Sequence, residues 1–246
     1  MLWLKLKRKL RHSFLHPRHL AQEELWRFVA AEGPQLRGKL LDIGCGKKPY
    51  TSLFSSVDMY IGIDVPSTMH GLSAVDAIST ALSLPFQDGS FDSLVCTEVL
   101  EHTPDPLVAL GEMWRVSKEG ATLLITVPLS EQLHEEPYDF YRFTHYGLEY
   151  LLKTSGWRIL RLRERGGAWL ELGYRLSSLL YSTLGASRDT AGGMKPRMIL
   201  GPPVVAICAG IQIMAALMNT LWPAQVSTIG YCVVAEKQSP DRSSDQ

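Results

Sequence analysis

Cysteine is scarce in this sequence, with four residues among 246, at Cys45, Cys96, Cys208 and Cys232. They stand far apart and form none of the paired spacings that thiolate zinc sites use. The same spacing excludes a dense disulfide framework. It is typical of a protein from a reducing compartment, in which these thiols have a structural or incidental place.

Net charge is lacking as well, because 25 lysines and arginines balance 25 aspartates and glutamates. A protein that attracts nucleic acid through its overall field carries an excess of positive charge. We therefore expect no nucleic-acid partner. The charges are distributed unevenly, however, and both ends of the chain differ from the middle.

Acidic residues are absent from residues 1–20, which hold six lysines and arginines. Trp3, Leu6, Leu10 and Phe14 recur there at helical spacing. The pattern predicts a basic amphipathic helix of the kind that lies on a membrane surface, with packing on its own domain as the alternative. The charges interrupt the apolar residues, so the segment lacks the apolar run of a signal peptide.

Charge is also absent between Arg197 and Glu236. Residues 198–222 form an apolar run of 25 residues, which is long enough to cross a bilayer. Lys195 and Arg197 precede this run, and basic residues at that position suit a cytoplasmic flank.

The strand predicted after this run limits how the run could meet a membrane. If residues 229–236 return to the sheet, the chain must come back to the side that it left, which excludes a single net crossing. The run then lies in the interface, dips into the bilayer, pairs with the amphipathic stretch 168–184 as a hairpin, or packs against protein in the fold or in a dimer. A polar linker, 185–197, is expected between the two stretches.

Short apolar runs alternate with helical patterns through the middle of the chain, including a helix predicted over 105–117. The runs are KLLDIG, MYIGIDV, LSAVDA, SFDSLVCTEVL and ATLLITVPL, then residues 157–163 and finally IGYCVVAEK. Short buried strands that alternate with helices indicate a parallel sheet in an α/β fold.

The first apolar run ends in LLDIGCGKKPY, residues 40–50. Gly44 and Gly46 permit positive φ and a close approach of the backbone to a ligand. Asp64 ends the second run, 22 residues after Asp42. An acid at that place can accept hydrogen bonds from both hydroxyls of a ribose, so we expect a ligand that contains a nucleoside.

A third glycine is missing from this turn, since Pro49 stands where a dinucleotide-binding turn has one. The carboxylate of Asp42 would repel a pyrophosphate but suits a cationic ligand. A ribose combined with a cation and without phosphate describes S-adenosylmethionine. A nicotinamide-dependent oxidoreductase is disfavoured by the same two residues.

Four blocks together resemble the class I S-adenosylmethionine-dependent methyltransferases: LLDIGCG, YIGIDV, LPFQDGSFDSLVCTEVLEHTPDP and WRVSKEGATLLITVP. The resemblance covers about residues 38–165 and the last strand. It implies a Rossmann-like, doubly wound, seven-stranded sheet with the last strand antiparallel. The apolar stretches 168–184 and 198–222 add a hydrophobic helical insertion before that strand. HEEPYDFYRFTHYGLEYLL further resembles the bacterial branch found with polysaccharide and cell-envelope glycan synthesis.

The resemblance assigns the cofactor-binding residues by their positions in these motifs. They are Asp42, Gly44, Cys45, Gly46, Asp64, Val65, Asp76, Ala77, Thr97 and Glu98. The turn would line the methionine part and the sulfonium, Asp64 would bind the ribose, and Asp76 would lie at the adenine edge. The alternative for Asp76 is an acid in a surface turn.

Methyl transfer to a hydroxyl also needs a base. The candidate catalytic residues are His102, His134, Asp139 and His145. Tyr138, Tyr141 and Arg142 could hold a sugar or an anionic acceptor, or could belong to a packed lid. No metal is expected, because His134 is followed directly by Glu135 and Glu136, which is poor ligand spacing.

The expected activity is O-methylation of a glycan or lipid-linked acceptor near a membrane. Methylation of a prenylated quinone or another small lipophilic molecule is an alternative, as is a non-catalytic, membrane-associated scaffold. The expected location is the cytoplasm, with contact at the inner face of the membrane.

Four segments are expected along the chain. They are a basic helix over 1–20, a methyltransferase domain over 21–165 and 228–238, a hydrophobic helical insertion over 166–227, and a disordered tail over 239–246.

Overall fold

A computed structural model describes residues 13–188, 194–197 and 199–238, with only the backbone described for 187–188 and 194–196. The chain forms two compact units: residues 28–163 with 230–238, and residues 13–27 with 164–229. The expected helix over 1–20 lies mostly outside the described residues, and the expected tail over 239–246 lies wholly outside them. The four expected segment boundaries stay predictions.

The strands and helices follow one another along the chain in an alternating α/β order. The strands are β1 (Gly38–Ile43), β2 (Val57–Asp64), β3 (Ala77–Ile78), β4 (Phe91–Thr97), β5 (Ser117–Pro128), β6 (Trp157–Glu164), β7 (Ala186–Arg188), β8 (Met194–Pro196) and β9 (Gly230–Lys237). The helices are α1 (His19–Glu32), α2 (Pro106–Val116), α3 (His145–Thr154), α4 (Ala168–Leu180) and α5 (Gly201–Leu221).

The larger unit is built on a seven-stranded sheet with the order β3-β2-β1-β4-β5-β9-β6. Strand β1 pairs in parallel with β2 and with β4, and β4 pairs in parallel with β5. Strand β9 is antiparallel to β5. This confirms the predicted doubly wound sheet with its last strand antiparallel. The strand order reverses at β1 and β4, and sheets of this kind bind ligands beyond the carboxyl ends of the strands at that point.

The central strands are buried on both faces, which explains their continuous apolar sequences. Leu40 and Leu41 in β1 are fully buried, as are Leu94 and Val95 in β4. Helix α2 covers one face with Ala109, Leu110 and Met113, all of them fully buried. The sheet therefore holds the strand ends in a fixed frame.

Two sequence signals start the helices that follow β4 and β5. The Asp105 carboxylate accepts a hydrogen bond from the backbone N–H of Val108 and caps α2. The Thr144 hydroxyl accepts one from the backbone N–H of Gly147 and caps α3. These caps fix where the loops after β4 and β5 end.

The strand expected over LSAVDA is wrong over most of its length. Residues 65–76 form turns, with Gly71 at φ 77° and a bond from the Val75 N–H to the Leu72 carbonyl. Only Ala77 and Ile78 pair with β2. The apolar residues that suggested a strand lie in this turn region.

The smaller unit packs α4 against α5 around a glycine. A Cβ added to Gly173 would lie 2.3 Å from the Ala215 Cβ. The two helices therefore approach each other more closely than any side chain at position 173 would permit. Gln212 is fully buried there, and its amide donates to the carbonyls of Phe14 and His16. These contacts tie α5 to the segment before α1.

The polar linker expected over 185–197 has regular structure in its described residues, 185–188 and 194–196. Helix α4 ends at Leu180 and runs into a π-helical turn, Tyr181–Gly185. Strands β7 and β8 then pair as an antiparallel hairpin. Within the apolar run 198–222, Gly201–Leu221 form a single helix, α5.

Helix α5 is long and apolar enough to cross a membrane by length and composition alone. It has 21 residues, a mean hydropathy of 1.9 in its most apolar window, and 28% of that window buried. The side chains on one face are exposed: Ile207, Met214, Leu217 and Leu221. An apolar helix of this kind also occurs in the core of soluble proteins, but there it is mostly buried.

Candidate functional site

The turn after β1 passes close to the turn after β4. Gly44 and Gly46 have φ values of 69° and 51°, which disfavour any side chain. A Cβ on Gly44 would lie 2.3 Å from Cγ2 of Val99. Glycine is therefore required at this position both by conformation and by space.

Lys48 belongs to the segment KKP, which follows Gly46 where a third glycine is missing, and its contacts give a reason for a lysine there. Its backbone has φ 50°, and its side chain crosses β2 so closely that a Cβ on Gly62 would lie 2.4 Å from the Lys48 Cε. Its amine bonds the carboxylate of Asp76, which also accepts from the Gly62 N–H at 2.7 Å. Desolvation raises the pKa of Asp76, but the bonds from Lys48 and Gly62 outweigh it and leave the pKa lowered.

Asp64 joins the ends of β1 and β2. One carboxylate oxygen accepts from the Gly46 N–H at 2.9 Å, and the other accepts from the Val65 N–H at 2.8 Å. The Thr68 hydroxyl donates a third, longer bond of 3.3 Å to the oxygen that accepts from Gly46. The side chain is buried, although a carboxylate with these three bonds keeps a further acceptor position. That position, together with the one that Thr68 occupies, can accept hydrogen bonds from ribose hydroxyls.

Asp42 lies between Gly62 of β2 and Val95 of β4 in the register of the sheet, and it is 2% exposed. Burial raises the pKa of Asp42 to about 7, partly offset by a hydrogen bond from the Tyr60 hydroxyl and by the charge of Lys48. A buried carboxyl in this state is stabilised by a positive charge that enters its surroundings.

The remaining predicted cofactor residues lie around these two acids. Burial raises the pKa of the Cys45 thiol to about 12, so it is unreactive. Val65 is exposed and Ala77 is half-buried in β3. Glu98 follows Thr97 at the end of β4, has φ 54°, and accepts a hydrogen bond from the Thr126 hydroxyl at 3.0 Å.

Three of the four predicted catalytic residues lie together: His102, His134 and Asp139. The rings of His102 and His134 are 4.7 Å apart between centroids. His102 is in the turn Leu100–His102 after β4, and His134 is in the loop between β5 and α3. The Glu101 carboxylate lies with them, and sequence reasoning missed this grouping because the residues come from two separate loops.

Asp139 belongs with this pair, because its carboxylate lies 3.4 Å from Nδ1 of His134, whereas His145 lies elsewhere. Arg142 donates two bonds to Asp139, at 2.6 and 2.7 Å. Desolvation would raise the pKa of Asp139, but these bonds and the His134 N–H hold the pKa at about 2, which makes Asp139 a weak base. His145 begins α3, and its ring lies against Tyr231 at 5.7 Å between centroids.

Comparison with known proteins begins with the segment that contains the glycine turn. A family model described as "Methyltransferase domain" matches residues 41–125, about a third of the chain. An uncharacterized methyltransferase of Mycobacterium marinum is 32% identical over 113 residues, which cover 42% of this chain and 44% of that protein. A demethylmenaquinone methyltransferase of Roseiflexus is 34% identical over 117 residues, which cover 42% and 49%. The chain spans about half the length of the curated relatives that it matches.

A solved structure extends the likeness beyond that segment. Phosphoethanolamine N-methyltransferase 2 of Haemonchus contortus, in complex with S-adenosyl-L-methionine, has a TM-score of 0.55 at 16% identity. The superposition covers 89% of this chain and 53% of that chain. At this identity it shows the fold alone. The strand order, the family match and the curated relatives thus agree in their similarity to methyltransferases.

Proposed function

We propose that this protein transfers a methyl group from S-adenosylmethionine to an oxygen of a glycan or lipid-linked acceptor at a membrane. The observation that carries the proposal is the pair of buried acids, Asp42 and Asp64, at the adjoining ends of β1 and β2. Asp42 suits the positively charged sulfur of the cofactor, and Asp64 suits the two hydroxyls of its ribose. S-adenosylmethionine, when bound, supplies a methyl group that its positively charged sulfur has already activated.

The chain's own residues bind and orient in this reaction. Asp64 is held by the Gly46 N–H, so its remaining lone pairs have a fixed direction for ribose hydroxyls. Because Gly44 and Gly46 have no Cβ, their backbone atoms can lie directly against the ligand. Asp42 releases its proton when a cation enters its surroundings. Alignment of the reacting atoms in such a frame lowers the barrier mainly by proximity.

The acceptor site belongs beside the turn after β4. His102 and His134 lie there with side-chain exposures of 16% and 23%, close to the Glu98 turn. A hydroxyl acceptor must lose its proton as the new C–O bond forms, and these residues are the polar groups placed to assist. Asp139 instead positions His134, since its carboxylate accepts from the His134 N–H at 3.0 Å.

Helix α5 supports a membrane location for the acceptor. Its buried face carries Val204, Cys208 and Ala215, while the roughly opposite face exposes the apolar side chains named above. An exposed apolar face of this length is typical of a surface that contacts lipid or another protein. The six cations of residues 1–20 would add attraction to anionic lipids.

A lipophilic quinone is the second candidate acceptor. The Roseiflexus relative is described as a demethylmenaquinone methyltransferase, and a prenylated substrate would also explain the exposed face of α5. Mass spectrometry of lipids and glycans from a deletion strain separates the two. The glycan proposal expects an envelope glycan that is lighter by one methylene, whereas a quinone lighter by one methylene favours the alternative.

Cofactor binding is the first test of the enzyme itself. Asp64→Ala should weaken the binding of S-adenosylmethionine at least tenfold in calorimetry, because hydrogen bonds to a charged acceptor are lost. Asp58→Ala is the matched control, since Asp58 lies exposed on the same strand. Equal affinity in Asp64→Ala and wild type would contradict the ribose role. A non-catalytic scaffold would instead bind the cofactor weakly even in the wild type.

A further inference from the structure

Three side chains with metal-binding chemistry meet beside the acceptor site. Glu101 and His102 lie in the turn after β4, and His134 lies in the loop before α3. One ligand atom from each residue lies within 4.8 Å of the other two. Glu101 is fully buried, and both rings are largely buried.

The two histidines are each held in one tautomer by a backbone carbonyl. Nδ1 of His102 lies 2.7 Å from the Tyr138 carbonyl oxygen, and Nδ1 of His134 lies 3.0 Å from the Gln132 carbonyl oxygen. A carbonyl oxygen only accepts, so each Nδ1 carries the hydrogen and each Nε2 carries the lone pair. Metal-ligating histidines have this second contact almost without exception.

The loop that carries His134 is fixed to the turn that carries Glu101. The Glu101 carbonyl accepts from the N–H groups of Phe140 and Tyr141, at 2.8 and 3.2 Å. Asp139 lies 3.4 Å from Nδ1 of His134 and is itself bonded by Arg142. A carboxylate behind a ligating imidazole both orients the ring and raises its basicity.

We propose that Glu101, His102 and His134 bind one divalent transition-metal cation, of which Zn²⁺ is the simplest example. Two imidazoles and one carboxylate are a common donor set for zinc and for divalent iron or cobalt. Donor atoms around one such ion lie about 3–4 Å apart, so the cluster contracts by no more than ~1–2 Å on binding. Nε2 of His102 is already 3.8 Å from Oε1 of Glu101.

Three protein ligands leave coordination positions for oxygen, which deepens the function proposed above and rests on it. A hydroxyl of the acceptor bound to the cation loses its proton to water more readily. Its oxygen then forms the new bond to the methyl carbon as the bond between that carbon and sulfur breaks. The cation takes the place of a separate general base.

Metal binding can be measured without any methyl transfer. The full, untagged chain is stripped with a chelator and titrated with ZnCl₂ by calorimetry, in the absence of S-adenosylmethionine, and with CoCl₂ by absorption spectroscopy. We expect one ion per chain and a Co²⁺ spectrum of nitrogen and oxygen ligands. Glu101→Gln and His134→Asn should each weaken zinc binding at least tenfold. His145→Asn is the control, because the His145 ring packs against Tyr231 outside the cluster, and it should leave zinc binding unchanged.

Circular dichroism checks that each variant is folded. If Glu101→Gln does not fold, His134→Asn alone tests the proposal. No zinc binding by the wild type, or binding that both cluster variants retain, would overturn the proposal. The experiment can tell a failure of the metal proposal from a failure of the proposed methyltransferase function. Zinc bound at the cluster of a protein that binds no S-adenosylmethionine would leave the metal site standing and remove the methyltransferase.

Discussion

At the residue scale, Asp42 links the cofactor pocket to pH. Burial raises the pKa of this carboxyl to about 7, so near neutrality a large fraction of the protein holds a proton there. A positively charged ligand favours the ionised form and lowers that pKa. Binding of the ligand therefore releases a proton over the range in which Asp42 is still protonated.

The affinity for S-adenosylmethionine should consequently rise with pH and level off above pH 7. Between pH 6 and pH 8 we expect a gain of about tenfold in the binding constant, since one proton is linked to binding. Asp42→Asn should bind more weakly and show no such slope. Calorimetry in buffers of different ionisation enthalpy counts the released proton, and a slope that persists in Asp42→Asn would contradict the assignment.

The acids and glycines of the pocket could be predicted because each stands at a recognisable distance from the end of an apolar run. Tyr60 and Lys48 could not. Their contacts depend on the register of β1 and β2, in which Asp42 lies beside Gly62 and Leu40 lies beside Tyr60. That register is set by the packing of the whole sheet, so no local pattern in the sequence reveals it.

At the element scale, the α4–α5 pair shows how a single glycine sets the distance between two helices. Gly173 faces Ala215 and Leu20, whereas Gly210 of α5 has open space around the position of a Cβ. The same substitution should therefore have opposite effects at the two sites. Alanine favours a helix over glycine by about 1 kcal/mol, but overpacking costs about 1–3 kcal/mol.

We expect Gly173→Ala to lower the free energy of unfolding by about 1–2 kcal/mol, because a Cβ there collides with Ala215 at 2.3 Å. Gly210→Ala, the matched control, should raise it by about 0.5–1 kcal/mol. Urea unfolding followed by circular dichroism measures both. Stabilisation by both substitutions would mean that the helices pack more loosely than described.

Element types were predicted better than the segments between them. Strands β1, β2, β4, β5, β6 and β9 and helices α2, α4 and α5 follow apolar periodicity, and the structure has each of them. The misplaced strand over LSAVDA and the hairpin within 185–197 lack a periodic signal. They depend on turn bonds and on pairing across the chain, such as that of Ala186 with Pro196.

At the scale of the whole molecule, the larger unit accounts for the cofactor and the smaller one for the proposed membrane contact. The exposed apolar face of α5 is the evidence for this contact, because an apolar helix in the core of a soluble protein would be mostly buried. Its side chains Ile207, Met214, Leu217 and Leu221 are each more than half exposed. The spacing of these residues places them on one side of the helix.

Replacing these four residues of α5 with glutamine should move the protein from vesicle-bound to free fractions in flotation with anionic phospholipid vesicles. Each buried apolar side chain contributes about 1–2 kcal/mol to such binding, so the loss should exceed a hundredfold. Met59→Gln with Ile78→Thr, two exposed apolar residues of the other unit, is the control and should float as before. Unchanged flotation of the α5 variant would contradict the membrane proposal.

The burial of all four thiols has a practical consequence for such measurements. Maleimide dyes react with accessible thiolates, so the native protein should present almost no background. One cysteine introduced on α5 would then carry a fluorophore at a single known depth. Its emission colour in vesicles would report directly whether that position is surrounded by hydrocarbon, by headgroups or by water.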